Sequence, residues 1–276
     1  MATRYSKENG SDGEARTSLS INEGVAYLTL TRSDKYNALD PAMLSELLEA
    51  LTILKQNEEI RVLVLGGQGP SFSAGVDLRT PFFMEHVLSD SVFEGMRLLD
   101  WQHELITGLY DLPFLTIASV HGNVVGGGGF GTAMACDLRF AARDTRFWMV
   151  PGVLDVVQDF GLTWLLQRVI GLSRTMEFAF SGTPIDSSQG ERMGLVNRVY
   201  DSREELDEGV SEFAASVGRR GVDAARLLKF IIRHGAENGL SNQVRLEAIT
   251  NGLCFQSSEF RARKMDYMKR LGMAEE

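Results

Sequence analysis

The chain has 276 residues, 44% hydrophobic and 24% charged, with 28 Lys+Arg against 37 Asp+Glu and a formal net charge of −9. This is a globular balance, and its acidity argues against a nucleic-acid surface, since no run of Lys and Arg makes up for it locally. At roughly 150 residues per domain, the length suits two domains or one large α/β domain with an appendage. The two cysteines, Cys136 and Cys254, cannot form a disulfide framework, which points to a reducing cytoplasm. The four histidines, His86, His103, His121 and His234, have no metal-ligand spacing, so no metal site is expected.

The first 17 residues are polar and contain Glu8, Asp12 and Glu14, which reads as a disordered tail. Val25 to Leu30 alternates like a strand and ends in a polar turn at 31–35. Asp40-Pro41 has the form of a helix N-cap and first helical residue, and Leu44, Leu47, Leu48, Leu51 and Leu54 follow at helical spacing. Arg61 to Leu65 is a short apolar run closed by Gly66-Gly67, as in a buried strand. A loop over 69–75 leads to a long helical region from about Phe82 to Tyr110. Two more buried strands are expected at Phe114–Val120 and Leu138–Ala142, with a glycine run and a short helix between them. The stretch from Leu112 to Cys136 has no charge, but its glycines break the apolar run and exclude a membrane span.

Strands and helices therefore alternate to about Arg146, the pattern of crossovers around a parallel sheet. Beyond Leu162 only Val196–Tyr200 reads as a strand; the rest is amphipathic helix, at 164–169, 174–180, 187–193 and from Glu204 onward. The expected organisation is an α/β core over 18–200 and a helical C-terminal part over 201–276.

The run Gly126-Gly127-Gly128-Gly129-Phe130-Gly131 lies between a strand and a helix. Residues without Cβ atoms allow a tight curl that presents backbone N–H groups to a ligand, and the following helix adds its positive end. Such a site suits an anion, or an oxygen that becomes anionic in a transition state. The other reading is a packing turn. Gly126, Gly128 and Gly131 also fit a dinucleotide fingerprint with Asp144 downstream, but a helix of under two turns is too short for that crossover.

Further motifs surround this run: Asn37-Ala38-Leu39, Phe72-Ser73-Ala74-Gly75-Val76-Asp77-Leu78, Ala133 to Asp137, Gly161 with Thr163-Trp164-Leu165-Leu166, Arg168 to Gly171, and Gly194-Leu195-Val196. In this order and spacing the chain resembles the crotonase (enoyl-CoA hydratase/isomerase) superfamily over nearly all of 18–270. The resemblance implies a spiral of ββα turns, a helical trimerisation region and an acyl-CoA thioester substrate. It also implies two backbone N–H donors that polarise the thioester carbonyl and stabilise an enolate. One falls on Val76. The other falls on Gly128 when counted back from Cys136-Asp137, or on Gly127 when counted forward from His121-Gly122. The helix register favours Gly128.

Hydratases of this family hold a water between two glutamates. Here those positions are Gly131 (or Phe130) and Pro151, and neither transfers a proton. Asp159 matches the aspartate of the single-carboxylate enoyl-CoA isomerase branches, whose motif runs aspartate, one residue, glycine, then Thr-Trp-Leu-Leu. One carboxylate suits a reaction that takes a proton from one carbon and returns it to another. An apolar surround of Val153, Val156, Val157 and Phe160 would desolvate Asp159 and raise its pKa. Alternatively, Asp159 caps the helix at Leu162 or lies solvated in a loop. Asp155, four residues earlier, is a secondary candidate. Dehalogenase chemistry would need a tryptophan at Pro151 and a histidine on the roofing helix, where Trp101 and Leu105 align and His103 is out of register.

By resemblance, the adenosine part of CoA lies along Lys35, Ala38, Leu39, Ala74, Asp77 and Leu78, and Phe255, Tyr267, Lys269 and Arg270 lend an aromatic and a cation. No permanently bound cofactor is implied, CoA being the carrier part of the substrate. Leu227, Leu228, Ile231, Ile232, Leu246 and Ile249 on the C-terminal helices exceed what a core of this size buries, so self-association is expected, and the resemblance implies a homotrimer or a pair of trimers. The leading expectation is an acyl-CoA double-bond or ring isomerase with Asp159 as acid/base. A hydratase or hydrolase using Asp159 and water, and a non-catalytic acyl-CoA-binding paralogue, are the alternatives.

Overall fold

β1 (Thr17–Asn22) and β2 (Val25–Leu30) form an antiparallel hairpin, with Thr17 opposite Leu30 and Asn22 opposite Val25. They belong to a computed structural model that describes residues 14–150, 156–271 and 273. From β2 the sheet continues in parallel through β3 (Val62–Gly67), β4 (Leu115–Val120), β6 (Leu138–Ala142) and β9 (Arg198–Tyr200). A second, three-stranded sheet joins β5 (Asn123–Val125), β7 (Arg146–Trp148) and β8 (Ile185–Asp186). The mixed α/β architecture expected from the alternation is the one observed.

The central strands are apolar on both faces because both are covered. On one face Ala26, Leu28, Leu63 and Leu65 pack with α1 (Pro41–Gln56) and α3 (Val92–Tyr110) in the main core. On the other, Val25, Val62, Val64 and Ile117 meet Leu206, Val210, Ala214 and Val217 of α8 (Arg203–Gly218). Each fully buried Val or Leu contributes ~1.5–3 kcal/mol of burial energy. The helix starts follow the expected chemistry: Asp40 accepts the Met43 N–H at 2.8 Å, with Pro41 at the first helical position.

Four expectations need correction. The tail does not extend to residue 17: Arg16 is buried, and the Glu46 carboxylate accepts the Arg16 and Thr17 N–H groups at 2.7–3.0 Å, anchoring β1. The helical region after Phe82 is two helices, α2 (Pro81–Val87) and α3, because Ser91 caps a new start at the Glu94 N–H. Residues 203–218, expected in the C-terminal part, pack on the sheet as α8. β1, β5, β7 and β8 were absent from the sequence reading; the last three have two or three residues each, too few to show a period.

The short helix α4 (Thr132–Ala135) leads into β6, and α5 (Leu162–Val169), α6 (Leu172–Ser181) and α7 (Ser187–Met193) follow the second sheet. The C-terminal helices are α9 (Val222–Gly235), α10 (Leu240–Gln256) and α11 (Ser258–Arg270). α9 is tied to the sheet by ions: the Asp137 carboxylate meets Lys229 at 2.7 Å and Arg233 at 2.6 Å, and also accepts the Thr116 N–H and hydroxyl. Lys229 in addition donates to the Phe114 carbonyl at 2.8 Å. Among the described residues, no helix is long and apolar enough to cross a membrane.

Candidate active site

The Val76 loop is threaded between two segments that fix its backbone. Ser73 bridges Val124, donating its N–H to Asn123 at 3.2 Å and accepting the Val125 N–H at 3.0 Å. On the other side, Leu39 donates to the Gly75 carbonyl at 2.7 Å and accepts the Asp77 N–H at 2.9 Å. In such a parallel bridge the flanking groups of Gly75 and Asp77 point to Leu39, so the N–H of Val76 itself points away from it. Among the described residues no acceptor takes that N–H. Gly75 makes the approach possible: its φ is +89°, and a Cβ there would stand 2.8 Å from the Val125 carbonyl oxygen.

Residues Gly127–Gly131 form a single π-helical turn that runs into α4. The first N–H groups of the turn have no carbonyl behind them to accept. Three glycines here are required by close neighbours. A Cβ on Gly128 would lie 2.9 Å from the Val76 nitrogen, one on Gly129 2.7 Å from the Ser73 carbonyl oxygen, and one on Gly131 2.6 Å from the Phe160 Cβ. At Gly127 an added Cβ would overlap Asp159 Oδ1 and the Phe160 ring. Gly126 differs: its φ is +58°, and the nearest atom to an added Cβ is 3.9 Å away. The turn therefore places Gly128 against Val76, and Gly127 against Asp159. Asp144, considered above for a dinucleotide fingerprint, accepts the Gly122 N–H at 3.3 Å instead.

Asp159 immediately precedes an unusual backbone segment. Phe160 adopts φ +51° and Gly161 φ +69°, and the Leu162 N–H closes the turn on the Asp159 carbonyl at 3.2 Å. The Asp159 side chain does not cap α5, whose N-cap is Gly161, so the capping alternative is excluded. Burial pushes the Asp159 carboxyl above the usual carboxylate range; a positive charge on His103 would act in the opposite sense. The source of that burial differs from the expectation. Val156 is 58% and Val157 88% exposed, because the segment leading to Asp159 turns them to the surface. Burial comes from the glycine turn and the Phe160 segment. Val153, Pro151 and the secondary candidate Asp155 lie outside the described residues.

Two neighbours of Asp159 carry no signal in the sequence. Gln158 Nε2 donates to Asp159 Oδ1 at 3.4 Å. His103, out of register by sequence, reaches the segment from α3: its Nε2 accepts the Phe160 N–H at 3.3 Å. The two expected positions, Trp101 and Leu105, are instead buried in the core. His103 contacts Phe160 across about 60 residues of sequence, which no local pattern reveals.

The residues expected along CoA fall into two groups. The loop geometry brings Lys35, Ala38 and Leu39 beside Ala74, Asp77 and Leu78, with the Ala74 N–H on the Tyr36 carbonyl at 2.9 Å. Lys35 is half-exposed and pairs with Asp34 at 3.5 Å. Asp77 is buried and committed to Arg32 at 2.8 Å and Arg79 at 3.0 Å, and these guanidinium partners overcome the effect of burial and hold its carboxyl below the usual range. Phe255 and Lys269 lie on the C-terminal helices, where Phe255 packs against Phe260 at 5.0 Å between ring centroids. Among the described residues, no hydrogen bond or ion pair joins them to the first group.

The enoyl-CoA hydratase/isomerase family model matches residues 20–272. The chain is 30% identical to the 1,2-epoxyphenylacetyl-CoA isomerase of Escherichia coli K12 over 241 residues, 87% of this chain and 90% of that protein. It is equally 30% identical to the crotonyl-CoA hydratase of Syntrophomonas wolfei over 238 residues, 86% and 88% of the two chains. An enoyl-CoA hydratase structure from Bacillus anthracis superposes with a TM-score of 0.83 at 26% identity, covering 92% of this chain and 96% of that one. With this fold, this loop pairing and a match over most of its length, the chain belongs to the enoyl-CoA hydratase/isomerase family and is an enzyme of that family.

Proposed function

We propose that the protein is an enoyl-CoA isomerase that works through an oxyanion-stabilised enolate, with Asp159 as its acid/base. Overall identity does not separate the branches, since an isomerase and a hydratase match equally well. The residues at the site are the discriminating feature. The observation that carries the reading is the placement of the half-buried Asp159 carboxylate against Gly127, where desolvation raises its pKa, next to the turn that sets Gly128 on Val76.

The chemistry follows from that arrangement. The N–H groups of Val76 and Gly128 receive the thioester oxygen, and as neutral, fixed dipoles they favour the charge that develops there. The Asp159 carboxylate takes a proton from Cα of a 3-enoyl chain; the C–H electron pair becomes the Cα–C1 double bond, and the carbonyl π pair moves onto that oxygen to give a dienolate. The resulting carboxylic acid then returns the proton to another carbon of the conjugated system, so no water or second base is consumed. Desolvation suits this cycle, because it brings the ionised and protonated forms closer in energy. A glutamate-held water has little support at residue 131, where any side chain would meet Phe160. CoA serves as the carrier, its adenosine part lying along Lys35, Ala38, Leu39, Ala74, Asp77 and Leu78.

Asp159→Asn tests the reading, since it retains size and removes the base. Isomerisation of a 3-enoyl-CoA is expected to fall by on the order of 10²–10⁴ with CoA affinity nearly unchanged. Retention of most activity would refute the assignment.

A further inference from the structure

Phe160 is a bulky residue in the left-handed region, followed directly by another left-handed residue, Gly161. A non-glycine residue there costs on the order of 1–3 kcal/mol and persists only where its surroundings over-determine it. Its ring is fully buried against the glycine turn, and its Cβ and carbonyl oxygen face Gly131. One hydrogen bond holds the peptide that joins Asp159 to Phe160 from the N–H side: Phe160 N–H to His103 Nε2 at 3.3 Å. The imidazole also stands edge-on to the Phe160 ring, with centroids 5.3 Å apart and planes at 80°. To accept at Nε2 the ring must be neutral with its proton on Nδ1. His103 itself is held by α3, whose buried face of Leu98, Trp101, Leu105, Ile106 and Leu109 is anchored in the core.

We propose that His103 is a positioning residue for Asp159: by accepting the Phe160 N–H it locks the Asp159–Phe160 peptide, and so aims the carboxylate along the glycine turn. The inference rests on the reading of Asp159 as the acid/base. His103 takes no proton from the substrate; it fixes the direction in which Asp159 does. α3 thereby becomes the element that sets the geometry of the base, and a displacement of α3 alters the rate without altering the CoA contacts.

The experiment compares three variants with wild type and Asp159→Asn in steady-state isomerisation of a 3-enoyl-CoA. In His103→Gln the amide oxygen reaches the place of Nε2; in His103→Asn an equally polar amide falls one methylene short. His103→Phe keeps the ring edge and removes the acceptor. Misplacing a catalytic group by about 1 Å costs on the order of 10²-fold. The expected result is a 10–100-fold loss of kcat in His103→Asn and His103→Phe, on that same scale, with KM within about twofold and kcat largely rescued in His103→Gln. Wild-type kcat in the Asn and Phe variants, a change in KM alone, or equal losses in the Gln and Asn variants would overturn the proposal while leaving Asp159 in place. An active Asp159→Asn enzyme would instead remove the acid/base reading and this proposal with it. The Gln–Asn comparison holds even if His103→Phe fails to fold.

Discussion

Asp159 Oδ1 occupies the space that a Cβ on Gly127 would fill, so the Asp159 carboxylate and the glycine turn are in direct contact. The smallest possible side chain at Gly127 therefore has to displace the carboxylate or the Phe160 ring. Gly127→Ala is predicted to lower kcat by on the order of 10²-fold, the scale of an ångström-sized misplacement. Gly126→Ala is predicted to leave kcat within a few-fold, since its Cβ meets open space. Its left-handed backbone lowers the melting temperature instead, by an amount equivalent to about 1–3 kcal/mol.

Gly128 and Val76 form the second contact of this kind. A valine at 128 pushes directly on the Val76 nitrogen and parts the two N–H groups. Gly128→Val is predicted to reduce turnover by ~10²–10³, as for loss of one oxyanion donor. The check is steady-state kinetics alongside circular dichroism showing an intact fold. Equally small effects at all four glycines would mark the loop as a packing turn and favour a binding-only protein.

The raised pKa of Asp159 has a consequence for stability with a definite sign. Its folded-state pKa lies above its ordinary value of 3.8, so its favourable contribution is complete below that value and is lost as pH rises through the folded-state pKa. Asp159→Asn is therefore predicted to gain thermal stability relative to wild type as pH rises from below 4 to 7. An unchanged difference across that range would contradict the desolvated carboxylate. The same shift places the acid limb of kcat/KM above 3.8.

Asp137 behaves in the opposite sense. Burial alone would raise its pKa, but Lys229 and Arg233 outweigh it and hold the carboxyl below the usual range. Its stabilisation is present above the unfolded pKa and is lost as pH falls through the folded one. Asp137→Asn leaves the buried Lys229 and the partly buried Arg233 short of a partner and is predicted to destabilise the fold by about 3–5 kcal/mol, read from urea unfolding at pH 7.

Much of this was legible in the sequence, and the reasons differ from part to part. The parallel strands at 62–67, 115–120 and 138–142 are apolar on both faces and closed by glycine or polar turns, a local signal. The Asp40-Pro41 cap is local too. The loops of Val76 and Gly128 were placed by the order and spacing of their motifs. Packing against an added Cβ then assigns Gly127 to the Asp159 side and Gly128 to the Val76 side. By contrast, His103 meets Phe160 only through tertiary packing. Val156 and Val157 depart from the expectation because an apolar run says nothing about which way a loop turns its side chains. α8 was misassigned because Leu206, Val210, Ala214 and Val217 mark an amphipathic helix without naming the surface that covers it.

That surface question remains relevant for the last three helices. Leu228, Ile232, Ile249, Leu253 and Phe255 are exposed on α9 and α10. Exposed apolar side chains of this kind are covered by association, and the family resemblance makes a closed homotrimer or a pair of trimers the predicted assembly. Light scattering at micromolar concentration checks this; a monomer would refute it.

Proton transfer by Asp159 is the central claim, and isotope exchange follows it without depending on net conversion. A 3-enoyl-CoA is incubated with enzyme in D2O, and deuterium at Cα and Cγ is followed by NMR and mass spectrometry. Turnovers in which the Asp159 acid exchanges its proton with D2O before returning it lead to incorporation at those carbons with the wild-type enzyme, and the account predicts that this falls by on the order of 10² or more in Asp159→Asn while CoA-thioester binding persists. Exchange that survives the substitution, or tight binding by the wild type with neither exchange nor migration of the double bond, would contradict it.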